Sequence, residues 1–167
     1  LIPCVEICPG ENTSTKAIEK AKEIFKLSGS SIVTVNKEID GFILNRLQGA
    51  LLNEAMRLYS EGYASSEDID ATIKDGLGLR WAFMGPFETI DLNAPGGIKD
   101  YMARYGSIFI EMAKSQTKIP DWSENAGKKL ELERRKVLIE NDLEKRAKKR
   151  NFLLKQLRKL KIENDET

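Results

Sequence analysis

The chain contains no histidine. That removes the commonest general base and the commonest zinc ligand together. It has only two cysteines, Cys4 and Cys8, whose spacing on a strand would set both on one face. Two thiols without further cysteine or histidine make a poor zinc set, so they read as small apolar residues, buried in a reducing compartment. No apolar run approaches the roughly 20 residues needed to span a bilayer. Nor does any basic segment lead into an apolar one as a secretory signal would, so the default placement is cytoplasmic. Net charge is also small, at +1 for 167 residues, which gives the whole chain no general attraction for nucleic acid or membrane.

What is present is mostly helix. Ile2 to Cys8 is apolar, bounded by Pro9-Gly10, and reads as a buried strand. Asn12-Thr13-Ser14 offers a cap for a helix from Thr15, with Ala17, Ile18, Ala21, Ile24 and Phe25 at helical spacing. Ser28-Gly29 ends it, and Ile32, Val33 and Val35 read as a second strand. This β-α-β unit buries too little to stand alone and is expected to belong to a larger sheet. From Asp40 the pattern turns helical. Phe42 to Tyr59 is apolar on most sides, as a central buried helix would be. Ser65-x-x-Asp68 is a capping-box variant for a helix over Glu67 to Lys74, which Gly76 and Gly78 are expected to break. Pro86 suits the first turn of a short helix, and Ile98 to Met112 resumes the helical pattern. From about Ser123 to Ile162 runs a long charged helical stretch with Lys145, Arg146, Lys148, Lys149 and Arg150 clustered. Interleaved acids and the lack of a stacking aromatic set argue against nucleic acid there. Three regions follow: 1–37, a terminal β-α-β segment; 38–122, a helical domain; and 123–167, a charged helical tail.

Three polar residues stand out. Glu6 sits between Val5 and Ile7 in an apolar strand; it either faces solvent at an edge or is paired with a specific polar group. Asn45 is an awkward guest at the head of the apolar helix, either capping or exposed, or an amide positioned to donate to an oxygen without titrating. Arg80 is either a surface arginine beside Trp81 or a planar donor able to grip a carboxylate bidentately. Arg46 reads as a structural ion-pair or carbonyl donor. Gly76-Leu77-Gly78 is no dinucleotide loop, because its third glycine is missing and a helix precedes it.

Residues 40–91, with Gly41-Phe42-Ile43-Leu44-Asn45-Arg46 and Met84-Gly85-Pro86-Phe87-Glu88, resemble the C-terminal helical domain of the 3-hydroxyacyl-CoA dehydrogenase superfamily. The run Leu77 to Pro86 looks like the lambda-crystallin branch, whose activity is L-gulonate 3-dehydrogenase. The resemblance implies a mainly α fold preceded by a β-α-β remnant of a Rossmann-type sheet. It also implies an NAD-dependent oxidoreductase acting on a small hydroxy acid, and a homodimer formed through the helical domain. It assigns Glu6 to orienting a catalytic imidazole and Asn45 to the substrate oxygen, with Arg80 a candidate for the substrate carboxylate. In the family, that histidine and the glycine-rich NAD fingerprint lie upstream. A glycine-rich βαβ start and a His-Pro-x-Asn-Pro stretch are therefore expected ahead of Leu1. This chain alone is expected to bind no NAD and no metal and to be inactive. Two other readings stand beside this one: a non-catalytic, crystallin-like dimerisation module, and a 3-hydroxyacyl-CoA dehydrogenase, against which Arg80 argues.

Overall fold

The computed structural model describes residues 1–164; the last three residues of the charged tail lie outside the described residues. Two short strands, β1 (Cys4–Ile7) and β2 (Ser31–Thr34), flank helix α1 (Thr15–Leu27). They pair in parallel, with Glu6 opposite Val33, so the crossover helix joins them as a β-α-β unit. The Ser14 hydroxyl accepts from the Ala17 N–H at 3.2 Å and starts α1. Gly29, at φ +72°, turns the chain out of α1. Val35, just past β2, is one of only two buried apolar residues among those described.

The rest is helical: α2 (Phe42–Ser60), α3 (Ser66–Ala71), α4 (Gly78–Trp81), α5 (Pro86–Asp91), α6 (Gly97–Ser115), α7 (Glu124–Val137) and α8 (Leu143–Asn164). Local chemistry accounts for most of these starts. Ser65 accepts from the Asp68 N–H at 3.1 Å, Ser123 accepts from the Ala126 N–H at 3.3 Å, and Pro86 opens α5. The fold is mainly α with a two-stranded parallel sheet at its start.

Side-chain bonds over long separations tie the helices together. Trp122 Nε1 donates to Asn53 Oδ1 at 3.0 Å, bringing the segment before α7 onto α2. Glu133 on α7 accepts from the Ser66 N–H at 2.7 Å, and Arg134 pairs with Asp70 at 3.1 Å, so α7 lies on α3. Asp91 accepts from the Ile98 N–H at 2.6 Å and closes α5 onto the start of α6.

Several expectations need correction. Glycines 76 and 78 do not break the chain: residues Thr72–Leu77 form a π-helical segment that runs straight into α4. Helix α2 is not buried all round. Met56 is its only buried residue, while Leu44, Leu47 and Leu52 are 39%, 61% and 43% exposed. Cys4 is exposed and Cys8 half-buried, so the thiols do not form a buried pair. The tail is two helices separated at Leu138 to Asp142. No helix among the described residues is long and apolar enough to cross a membrane.

Candidate functional site

The first turn of α2 has an unusual entry. Its N-cap is Gly41, at φ +80°, which has no side chain to cap the helix. Phe42 follows at φ +47°, the only positive φ on a non-glycine residue among those described. A left-handed conformation at a bulky residue costs on the order of 1–3 kcal/mol and persists only where its surroundings enforce it. The missing cap comes from far away in sequence. One carboxylate oxygen of Glu6, on β1, accepts from the Ile43 N–H at 2.8 Å and the Leu44 N–H at 3.2 Å. The positive end of a helix is a favourable seat for a carboxylate. Glu6 is thus the paired acid of the two alternatives left by the sequence, and its partner is backbone.

That geometry has a chemical consequence. Oε1 is committed to the helix, while Oε2 makes no hydrogen bond among the described residues. A carboxylate fixed by two N–H groups presents its second oxygen in a set direction, which suits orientation of a ring N–H. Asn45 follows Leu44 directly and is exposed. A Cβ built on Gly41 would lie 3.7 Å from the Asn45 Cβ and 3.6 Å from the Arg46 Cγ, so both side chains sit over the glycine at the mouth of the turn. Glu6 and Asn45 therefore share one end of α2. Arg46 is exposed and makes neither of the bonds expected of it among the described residues.

Arg80 lies elsewhere, on α4. Its carbonyl accepts from the Phe83 and Met84 N–H groups at 2.9 and 3.0 Å, which shapes the turn into Met84-Gly85-Pro86. Its side chain is exposed, with no ion pair or hydrogen bond among the described residues. The structure thus joins Glu6 to the Asn45 turn but brings Arg80 into bonding contact with neither. A groove of about 720 Å³ runs along α8 past Leu143, Arg146, Leu153 and Leu157, away from all three.

Among the described residues no cluster of three acidic, cysteine or histidine side chains could hold a metal ion. The turn from β1 to α1 is closed on itself, since the Gly10 N–H donates to Thr13 Oγ1 and the Thr13 N–H donates to the Gly10 carbonyl, both at 3.0 Å. Those amides are not free to cradle a pyrophosphate. The Gly76-Leu77-Gly78 run is helical and offers no loop.

The family model for the 3-hydroxyacyl-CoA dehydrogenase C-terminal domain matches residues 41–138. Over 122 residues the chain is 45% identical to lambda-crystallin of Oryctolagus cuniculus, covering 73% of this chain and 38% of that protein. Over 107 residues it is 42% identical to the L-carnitine dehydrogenase of Streptomyces coelicolor, covering 64% of this chain and 34% of that one. Among solved structures, a 5-formyl-3-hydroxy-2-methylpyridine 4-carboxylic acid 5-dehydrogenase, described as an NAD+-dependent dismutase, superposes with a TM-score of 0.63. It is 27% identical, and the match covers 74% of this chain and 38% of that one. The chain spans well under two thirds of the length of each.

Proposed function

The chain belongs to the 3-hydroxyacyl-CoA dehydrogenase C-terminal domain family, and on that premise we propose that it is the substrate-binding and dimerising portion of a longer NAD-dependent dehydrogenase acting on a free 3-hydroxy carboxylate, with L-gulonate as the substrate to test first. The observation that carries the proposal is the seat of Glu6. A strand carboxylate caps the helix that bears Asn45, with one oxygen engaged and one open.

In the intact enzyme the other half would hold the dinucleotide, whose chemistry is hydride acceptance, and would provide a histidine as base for the hydroxyl proton. Around that chemistry this chain has three tasks. Glu6 Oε2 holds the imidazole N–H, fixing its tautomer and stabilising the imidazolium once the proton has arrived. The Asn45 amide donates to the substrate oxygen as it becomes a carbonyl. Arg80 forms a bidentate pair with the substrate carboxylate. The preference for a free acid over a thioester has support in the named relatives: carnitine is itself a 3-hydroxy carboxylate, and the dismutase's named compound is a carboxylic acid. The exposed apolar faces of α2 and α6 suit the subunit contact of a homodimer, with residues 38–122 as the helical domain that makes it.

Arg80→Ala in the full-length enzyme tests the substrate assignment. Loss of a bidentate charge-assisted pair should raise KM for L-gulonate by roughly ten- to a hundredfold. An unchanged KM would remove the carboxylate clamp. A non-catalytic, crystallin-like dimerisation module is the second reading, and the lambda-crystallin relatives favour it. A stable dimer of the full-length protein that binds no dinucleotide in a calorimetric titration would decide for it.

A further inference from the structure

Helix α8 bonds to the turn that feeds β2 and lines a cleft shared with the end of α4. At its C-terminal half, Arg158 Nη2 donates to the Gly29 carbonyl at 3.1 Å, across 129 positions of sequence. Gly29 is the left-handed turn that feeds β2, the strand paired with the Glu6 strand. A Cβ at Gly29 would stand 3.2 Å from the same Arg158 nitrogen, so the guanidinium sits directly over this turn. Leu154, one turn earlier, and Leu157, the residue before Arg158, line a cleft of about 280 Å³ together with Pro3, Trp81 and Ala82. Trp81 is the residue after Arg80 and the last of α4. The tail helix therefore forms a bridge from the base of the sheet to the cleft that Trp81 lines.

The bridge bears on substrate binding because Arg80 has no partner of its own among the described residues. An unpaired arginine on a four-residue helix samples many rotamers, and ordering it costs free energy at the moment of binding. Trp81, on that cleft, continues the backbone from which Arg80 departs. The two halves of the bridge are chemically distinct: a charged donor gripping a carbonyl at one end, and leucines lining the same cleft as Trp81 at the other.

We propose that Arg158 is a positioning residue: through the Gly29 carbonyl it holds α8 as the wall of the cleft that Trp81 lines and so sets the Arg80 guanidinium for the carboxylate of the substrate. This rests on the reading of Arg80 given above, and the test separates the two. Trp122→Phe leaves Trp81 as the only indole, so its emission reports the α8 cleft without any turnover. In that background, Arg158→Ala should shift the Trp81 emission to the red, and Arg158→Lys should restore it in part. In the full-length enzyme, Arg158→Ala should raise KM for L-gulonate about three- to tenfold, the loss expected of one charge-assisted hydrogen bond acting indirectly. The kcat should stay within about twofold, because no reacting atom is touched. Leu157→Ala, which leaves the Arg158 bond in place, should produce the same KM change. An unmoved Trp81 emission in Arg158→Ala would overturn the bridge. A shifted emission with unchanged KM, in an enzyme whose Arg80→Ala variant does lose KM, would overturn the coupling. If Arg80→Ala itself leaves KM unchanged, the carboxylate reading falls, and the emission result still decides whether the bridge exists.

Discussion

Glu6 has two roles that one substitution cannot separate and two can. As a cap it satisfies the Ile43 and Leu44 N–H groups; as an orienting acid it offers a charged second oxygen. Glu6→Ala should destabilise the fold by about 1 kcal/mol, the usual loss for an N-cap acceptor, read as a lowered urea midpoint. Glu6→Gln keeps an amide oxygen for the helix and should hold stability within about 0.5 kcal/mol. In the full-length enzyme it should still lower kcat about a hundredfold, because the imidazolium loses its counter-charge. Equal loss of stability and activity in both variants would reduce Glu6 to a cap. Glu133 gives a pH prediction at the same scale. The Ser66 hydroxyl and then its amide hold the Glu133 carboxyl below the usual range. The amide makes the hydrogen bond, at 2.7 Å, while the hydroxyl oxygen, though buried, lies outside bonding geometry. A carboxyl whose pKa is lowered by folding stabilises the fold above its unfolded pKa, near 4.5, and loses that contribution as pH falls through the folded value. Stability should therefore drop below about pH 4.5, and Glu133→Gln should flatten part of that drop in urea titrations followed by circular dichroism.

At the scale of elements, the π-helical segment before α4 makes the sharpest claim. A Cβ on Gly78 would come within 2.7 Å of the Ile73 carbonyl oxygen, whereas one on Gly76 meets nothing within 4 Å. Gly76→Ala should stabilise by about 0.5–1 kcal/mol, the ordinary gain for a helical glycine. Gly78→Ala should destabilise by about 1–3 kcal/mol, because the widened turn must shift; thermal melts of the two variants should move in opposite directions. This contrast was not legible in the sequence, where both glycines read as breaks. Closing a turn i→i+5 instead of i→i+4 depends on packing that no local pattern records. Caps were legible, since Ser14, Ser65 and Pro86 act within three residues of themselves. The β-α-β start was legible as well, since β-branched runs on either side of an amphipathic helix encode it. The Glu6 cap was not, because an acceptor 37 residues from its donors leaves no periodicity to read. The resemblance drew attention to Glu6 and Asn45, but the strained Gly41-Phe42 entry that sets them at one helix end appeared only in the structure.

At the scale of the molecule, accessible surface decides the argument. The chain exposes 13418 Å², whereas a compact monomer of 18.9 kDa exposes about 8,300 Å². The excess, roughly 5,000 Å², exceeds what one standard interface covers on a partner, about 800 Å². The apolar helices account for much of it: Leu47 on α2 is 61% exposed and Met102 and Ile110 on α6 are 63% and 61% exposed. On α6 the Tyr101 ring lies 4.8 Å from the Tyr105 ring and 6.1 Å from the Phe109 ring, centroid to centroid, along one helix. Exposed apolar surface of this extent is the mark of an interaction site, and it fits the subunit contact proposed above. The 167-residue chain by itself should sediment as a dimer or larger, with a melting temperature that rises with concentration; a monomer with a concentration-independent melt would contradict this.

The most direct test of the whole account is substrate choice in the full-length enzyme. NADH formation from L-gulonate should be compared with NADH consumption on acetoacetyl-CoA under matched conditions. The account predicts kcat/KM for L-gulonate at least about a hundredfold above that for the thioester, with Arg80→Ala removing most of the difference. Efficient turnover of acetoacetyl-CoA, undiminished by Arg80→Ala, with no turnover of L-gulonate, would contradict it.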